Sequence, residues 1–153
     1  MTLRFRDMTT AYYAGSFNPF TIGHKSIVDR AIRIFDKVVI GVGFNLNKPE
    51  SETAACQRAS EIAKLFAHDT RIKVETYNCL TVHAAKKAGA SVLLRGVRNC
   101  ADFEYEQQIA QVNRRLSGIE TLIMFALPED ACVSSSMVRE LQEFGQDVSQ
   151  FLP

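Results

Sequence analysis

The stretch "AGSFNPFTIGHKSI", residues 14–27, gathers Gly15, Ser16, Pro19, Gly23 and His24 in one short span. Glycines here open backbone paths that bulkier residues forbid, and a histidine at the start of a helical stretch stands among free N–H groups that attract anions. That combination points to phosphate binding. It is also compatible with turn chemistry alone, His24 then being a polar helix-capping residue. Further donors follow: Lys48 in "FNLNKPE", Arg95 and Arg98 flanking Gly96, and the run Ser134, Ser135, Ser136. Two phosphorylated substrates bound together would demand that many cations and hydroxyls. No Gly-Lys-Ser/Thr follows the glycines and no G-x-G-x-x-G is present, which excludes the P-loop and dinucleotide fingerprints.

Such residues must be brought to one place, and the periodicities of the chain supply the means. Apolar runs predict strands over Ala11–Ala14, Lys37–Gly43, Ile72–Tyr77, Ser91–Arg95 and Thr121–Leu127. Between and after them, helical spacing predicts His24–Phe35, Thr53–Ala67, Thr81–Ala88, Asp102–Leu116 and Ser135–Phe144. The run "VVIGV" is continuous rather than alternating, as in a parallel strand covered on both faces. Alternating strands and helices predict an α/β fold with a doubly wound, five-stranded parallel sheet. Ligands of such sheets sit beyond the carboxyl ends of the strands, which are the loops carrying the candidate residues.

The bulk properties limit the possible ligands. With 153 residues the chain reads as one domain, 1–153, with 1–9 as an N-terminal extension and Met8 as an alternative initiator to Met1. Eighteen basic side chains against 17 acidic ones, without any run of like charge, argue against nucleic-acid and membrane partners and for a local cationic site. The longest apolar runs are far short of a bilayer span and "MTLRFRDM" has no signal-peptide core, so a cytoplasmic protein is expected. Cys56, Cys79, Cys100 and Cys132 form no C-x-x-C pair and read as reduced thiols. Asp102 and Glu106 fall at i, i+4 on one helical face, where they either bind a metal or orient arginines or nucleotide hydroxyls. His68 reads as a helix-end residue and His83 as a partly buried helical one.

"GSFNPFTIGH" resembles the G-T-F-D-P-x-T-x-G-H motif of nucleotidyltransferases that use a histidine-bearing loop. "RGVRNCADFEYE" and "SSSMVRE" narrow the resemblance to the phosphopantetheine adenylyltransferase family, from about Ala11 to Pro153. The resemblance implies a Rossmann-like nucleotidyltransferase fold and transfer of the adenylyl group of ATP to 4'-phosphopantetheine, giving dephospho-coenzyme A and pyrophosphate by in-line displacement. It implies catalytic roles for His24, which would stabilise the transition state, and for Lys48, Arg98 and Ser16. ATP would be met by Ser16, Phe17, His24, Gly96, Val97, Arg98 and Glu106, and by the loop Asp130, Ala131, Cys132, Val133, Ser134, Ser135 and Ser136. Phosphopantetheine would be met by Ser16, Lys48, Thr81 and Arg95. Mg²⁺ would be held mainly through the ATP phosphates, without dedicated protein ligands.

The family resemblance further implies a homohexamer, a dimer of trimers, and leaves room for coenzyme A as a feedback ligand. The apolar residues of "EYEQQIAQVNRRL" would supply a helical contact between chains, or else face inward. Three positions depart from the pattern: Ser16 replaces the usual threonine, Asn18 an aspartate, and Asp130 a tryptophan of many relatives. A phosphate monoester is already a nucleophile at neutral pH, so the reaction needs charge neutralisation and alignment more than a protein nucleophile. Two alternatives remain at this point: a nucleotidyltransferase for another acceptor, such as nicotinate mononucleotide, and a nucleotide-binding regulatory module without turnover.

Overall fold

A computed structural model describes residues 8–48 and 51–153. Strands β1 (Thr10–Gly15), β2 (Lys37–Gly43), β3 (Ile72–Tyr77), β4 (Val92–Val97) and β5 (Glu120–Phe125) alternate with five helices. These are α1 (Ile22–Ala31), α2 (Ser51–Leu65), α3 (Thr81–Lys87), α4 (Cys100–Ser117) and α5 (Ser135–Glu143). All strand pairs are parallel, in the order β3-β2-β1-β4-β5. The predicted α/β class and the five-stranded parallel sheet hold. β1 lies at the centre, where the winding reverses, and an α/β sheet opens a crevice at that point.

The continuous apolar runs arise because both faces of the sheet are covered. On one face Ala11, Tyr13, Val38, Ile40 and Leu94 pack under Ile27, Val28 and Ala31 of α1 and Ala55 and Ile62 of α2. On the other, Tyr12, Ala14, Val39 and Leu93 pack against Val82 and Ala85 of α3. Successive β1 side chains therefore alternate between two buried layers. Gly41 is required beside Tyr12: a Cβ there would stand 2.4 Å from the tyrosine hydroxyl, which instead donates to Glu75 at 2.9 Å.

Several boundaries differ from the sequence expectation. α1 begins two residues before His24 and stops at Ala31 rather than Phe35, because the chain tightens on its way to β2, with Arg33 N–H on Arg30 O at 3.2 Å and Ile34 N–H on Ala31 O at 2.9 Å. β4 runs on past the expected end at Arg95 to Val97, so Gly96 and Val97 are strand residues paired with Met124 and Phe125 of β5. His83 is exposed rather than partly buried. The four cysteines are free thiols. Most of the expected N-terminal extension, residues 1–7, lies outside the described residues, whereas Thr9 is tied to the fold through its N–H to the Asp36 carboxylate at 2.7 Å. Among the described residues no helix is long and apolar enough to cross a membrane.

Candidate active site

Thr21 caps α1, and His24 is the third residue of that helix rather than its first. The Thr21 hydroxyl accepts the His24 N–H at 3.4 Å, and the Thr21 backbone N–H donates to His24 Nδ1 at 3.0 Å. This is a capping box in which histidine takes the place that glutamate or glutamine usually holds. A backbone N–H can only donate, so Nδ1 is the acceptor and the ring proton of the neutral imidazole sits on Nε2. The ring is packed edge-on against Phe17, with centroids 5.1 Å apart, and tilted against Phe20 at 5.4 Å. Burial, with smaller contributions from the Arg95 and Arg98 charges, lowers its pKa to about 4. His24 is thus a neutral donor, and capping and ligand binding are compatible roles of its two nitrogens. Phe17 adopts φ 47°, uncommon for a bulky residue, and is held there by burial of its ring between Tyr13 and Phe20.

The arginines do not stand free. Arg95 donates through Nε and Nη2 to Glu106 at 2.9 and 2.6 Å and through Nη1 to the Ala14 carbonyl. Glu106 is only 6% exposed and is the buried member of α4. Arg98 pairs with Asp102 through Nε at 2.8 Å and Nη2 at 3.1 Å, and Asp102 also accepts the Arg98 backbone N–H. Of the alternatives for "DFEYE", orientation of arginines is the one realised. The three serines are likewise divided: Ser134 caps α5 by accepting Met137 N–H, Ser135 donates to Pro19 O at 2.7 Å, and Ser136 accepts from Arg139. Arg139 also donates to Asn18 O, so α5 is bonded to the first loop at two points.

Two cavities open at the carboxyl edge of the sheet, one on each side of the loop after β1. The first, of about 350 Å³, lies between β1 and β4 and is walled by Ser16, Phe17 and His24, by Arg95, Gly96, Val97 and Arg98, and by Glu106. Asp130, Val133, Ser134, Ser135 and Ser136 close it, whereas Ala131 and Cys132 stand outside its wall. The second, of about 1150 Å³ and more open, lies toward β2 and β3 and is lined by Ser16, Lys48 and Thr81. Gly15 and Ser16 line both. Arg95, grouped with Lys48 and Thr81 in the sequence expectation, lines the first cavity only.

Sequence reasoning missed Tyr13 and Tyr105 in the first cavity and Arg58, Tyr77 and Arg139 in the second. Tyr77 holds the Thr81 hydroxyl at 3.1 Å. The i, i+4 spacing of Arg98 and Asp102 was a readable signal, as was the Thr-x-x-His spacing of the cap. The eleven-residue separation of Arg95 and Glu106 was not.

The cytidylyltransferase-like family matches residues 12–141. A phosphopantetheine adenylyltransferase of Phocaeicola vulgatus is 49% identical over 95% of this chain and 96% of its own length. That of Bacteroides fragilis is 47% identical over 95% and 97%. The chain belongs to the phosphopantetheine adenylyltransferase family. It is accordingly a nucleotidyltransferase. A bifunctional NMN adenylyltransferase/ADP ribose pyrophosphatase of Francisella tularensis superposes with a TM-score of 0.65 over 95% of this chain and 45% of that longer one, at 14% identity. That likeness concerns the fold.

Proposed function

We propose that this enzyme transfers the adenylyl group of ATP to 4'-phosphopantetheine, releasing pyrophosphate and dephospho-coenzyme A. The observation that carries the reading is the pair of cavities meeting at Gly15 and Ser16, one bearing a neutral histidine donor and two arginines, the other bearing Lys48. ATP occupies the first and the phosphate monoester enters from the second. An oxygen of that phosphate attacks the α-phosphorus, the bond to the bridging oxygen breaks, and pyrophosphate leaves with the electron pair. His24 Nε2–H donates to the α-phosphate as charge redistributes, a transition-state contact made without proton transfer. Arg98, Lys48 and Ser16 neutralise and align the two anions. Arg95 is oriented by Glu106 and serves the first cavity.

Mg²⁺ fits this site as an ion carried by the nucleotide. Among the described residues no three His, Cys, Asp or Glu side chains cluster as a metal site, and Asp102 and Glu106 are engaged with arginines. Bound with the nucleotide, the ion would supply neutralisation of phosphate charge and would need few protein ligands, as Mg²⁺ commonly does. We also infer a cytoplasmic enzyme, and one on which coenzyme A, sharing the phosphopantetheine arm, competes for the second cavity.

Pyrophosphate release measured with a panel of phosphorylated acceptors tests the function. 4'-Phosphopantetheine is expected to be used and nicotinate mononucleotide rejected; the reverse preference, or no turnover, overturns the reading. Lys48→Ala is expected to raise the KM for phosphopantetheine about tenfold or more, as loss of a charged hydrogen bond does, with ATP affinity nearly unchanged. An equal loss of ATP affinity reassigns the lysine to the nucleotide.

The assembly we propose is the homohexamer. Its support is an apolar surface the single chain leaves uncovered: Leu116 on α4 is 60% exposed and Phe125 on the edge strand β5 is 67% exposed. Of the two readings of the α4 apolar residues, the outward one holds for Val112 and Leu116. Light scattering at micromolar concentration is expected to return six chain masses, and a stable monomer removes the proposal.

A further inference from the structure

Adjacent tyrosines of β1 end in opposite situations. Tyr12 faces the α3 side and its hydroxyl donates to Glu75 at 2.9 Å. Tyr13 faces the α1 side, is only 4% exposed as a residue and lines the first cavity; its hydroxyl makes no hydrogen bond among the described residues and is not one of the sealed, unpartnered atoms, of which Thr121 Oγ1 is the one found among them. Buried hydroxyls are nearly always bonded, and phenylalanine would fill the same space without an unmet polar group. The Tyr13 ring lies edge-on to Phe17 at 5.2 Å and 6.4 Å from the His24 ring. Its hydroxyl lies 3.8 Å from where a Cβ on Gly96 would stand, and the residue lines the first cavity.

We infer that the Tyr13 hydroxyl is a further substrate contact, donating a hydrogen bond to a phosphate oxygen of the nucleotide lodged between Gly96 and His24. The inference rests on the nucleotidyl-transfer reading of the first cavity. The surroundings select that partner. Arg95, Arg98 and the His24 donor make the cavity favourable to anionic oxygen, and the nearby carboxylate of Glu106 is already taken by Arg95. Burial raises the phenol's pKa, keeping it protonated and therefore a donor. Gly96 lets the β4 backbone come close to this corner, where a Cβ would press on Ile27 at 3.2 Å. A side chain buried along its ring whose polar end reaches a cavity without a partner in the chain leaves that end available to a ligand.

The test compares Tyr13→Phe with wild type by calorimetric ATP binding, steady-state kinetics and thermal melting, with Tyr12→Phe as the control on the opposite face. Tyr13→Phe is expected to weaken ATP binding about tenfold and lower kcat/KM for ATP by at least as much, with Tm equal or higher. Tyr12→Phe is expected to lower Tm and leave ATP affinity unchanged. Unchanged ATP affinity in Tyr13→Phe overturns the proposal, as does a Tm loss matching that of Tyr12→Phe. A wild-type enzyme that binds ATP but does not adenylylate phosphopantetheine defeats the acceptor assignment alone, and the ATP comparison still decides the role of Tyr13.

Discussion

His24→Ala is expected to lower kcat by roughly 10²-fold or more while changing substrate affinities much less, because the lost Nε2–H donor acts on charge that shifts during transfer. The same substitution removes the acceptor for Thr21 N–H, so about 1 kcal/mol of stability should go with it, a Tm decrease of roughly 2–4 °C in a chain of this size. His24→Gln separates the two roles. Glutamine is a normal third residue of a capping box and accepts the Thr21 N–H, yet places no imidazole donor in the cavity. It is expected to restore Tm and leave kcat low. A fully active glutamine variant would reduce His24 to a cap.

The histidine also predicts a pH dependence of stability. Its pKa is lowered to about 4 in the fold from an ordinary value of 6.5, so the folded state favours the neutral ring. As pH falls from about 6.5 toward 4, the unfolded chain binds this proton first and stability drops; above that window the ring contributes no slope. His24→Gln should flatten that part of the Tm profile. In wild type, protonation of His24 should not reduce kcat until near pH 4, since the donor form is neutral throughout the range above it.

Glu106→Ala is expected to be the most destabilising change in the site. It strips the partner from Arg95, whose Nε and Nη2 both donate to that carboxylate, and leaves a half-buried guanidinium facing the first cavity. Removing one member of a buried pair costs about 3–5 kcal/mol; the lower end applies here because Arg95 retains partial solvent contact. A Tm decrease of roughly 6–12 °C follows. Turnover should fall as well, since the freed arginine no longer flanks the nucleotide. Replacing both residues with apolar side chains of similar volume, Arg95→Met with Glu106→Leu, is expected to recover much of the Tm and none of the activity. Additive Tm losses in the double variant would mean that the pair is not coupled.

Much of this molecule is determined by local rules. Apolar runs and helical periodicity are properties of neighbouring residues, so the element order, the parallel class and the strand limits of β2 and β3 were legible in the sequence. The convergence of Ser16, His24, Lys48, Arg98 and the serines on one sheet edge followed from strand direction, since every parallel strand delivers its next loop to the same side.

What tertiary structure decided was which side chains are free to act. The end of β4 depended on pairing with β5, which drew Gly96 and Val97 into the strand. Glu106 met Arg95 only because α4 lies back against that strand, and the serines became a cap, a tether and an arginine partner only when α5 approached the first loop. Most consequentially, the tautomer of His24 and the unpartnered hydroxyl of Tyr13 depend on where individual N–H and O–H groups point. Sequence spacing places a side chain on a face; the direction of its donors is set by distances of about 3 Å, which only the packed chain fixes.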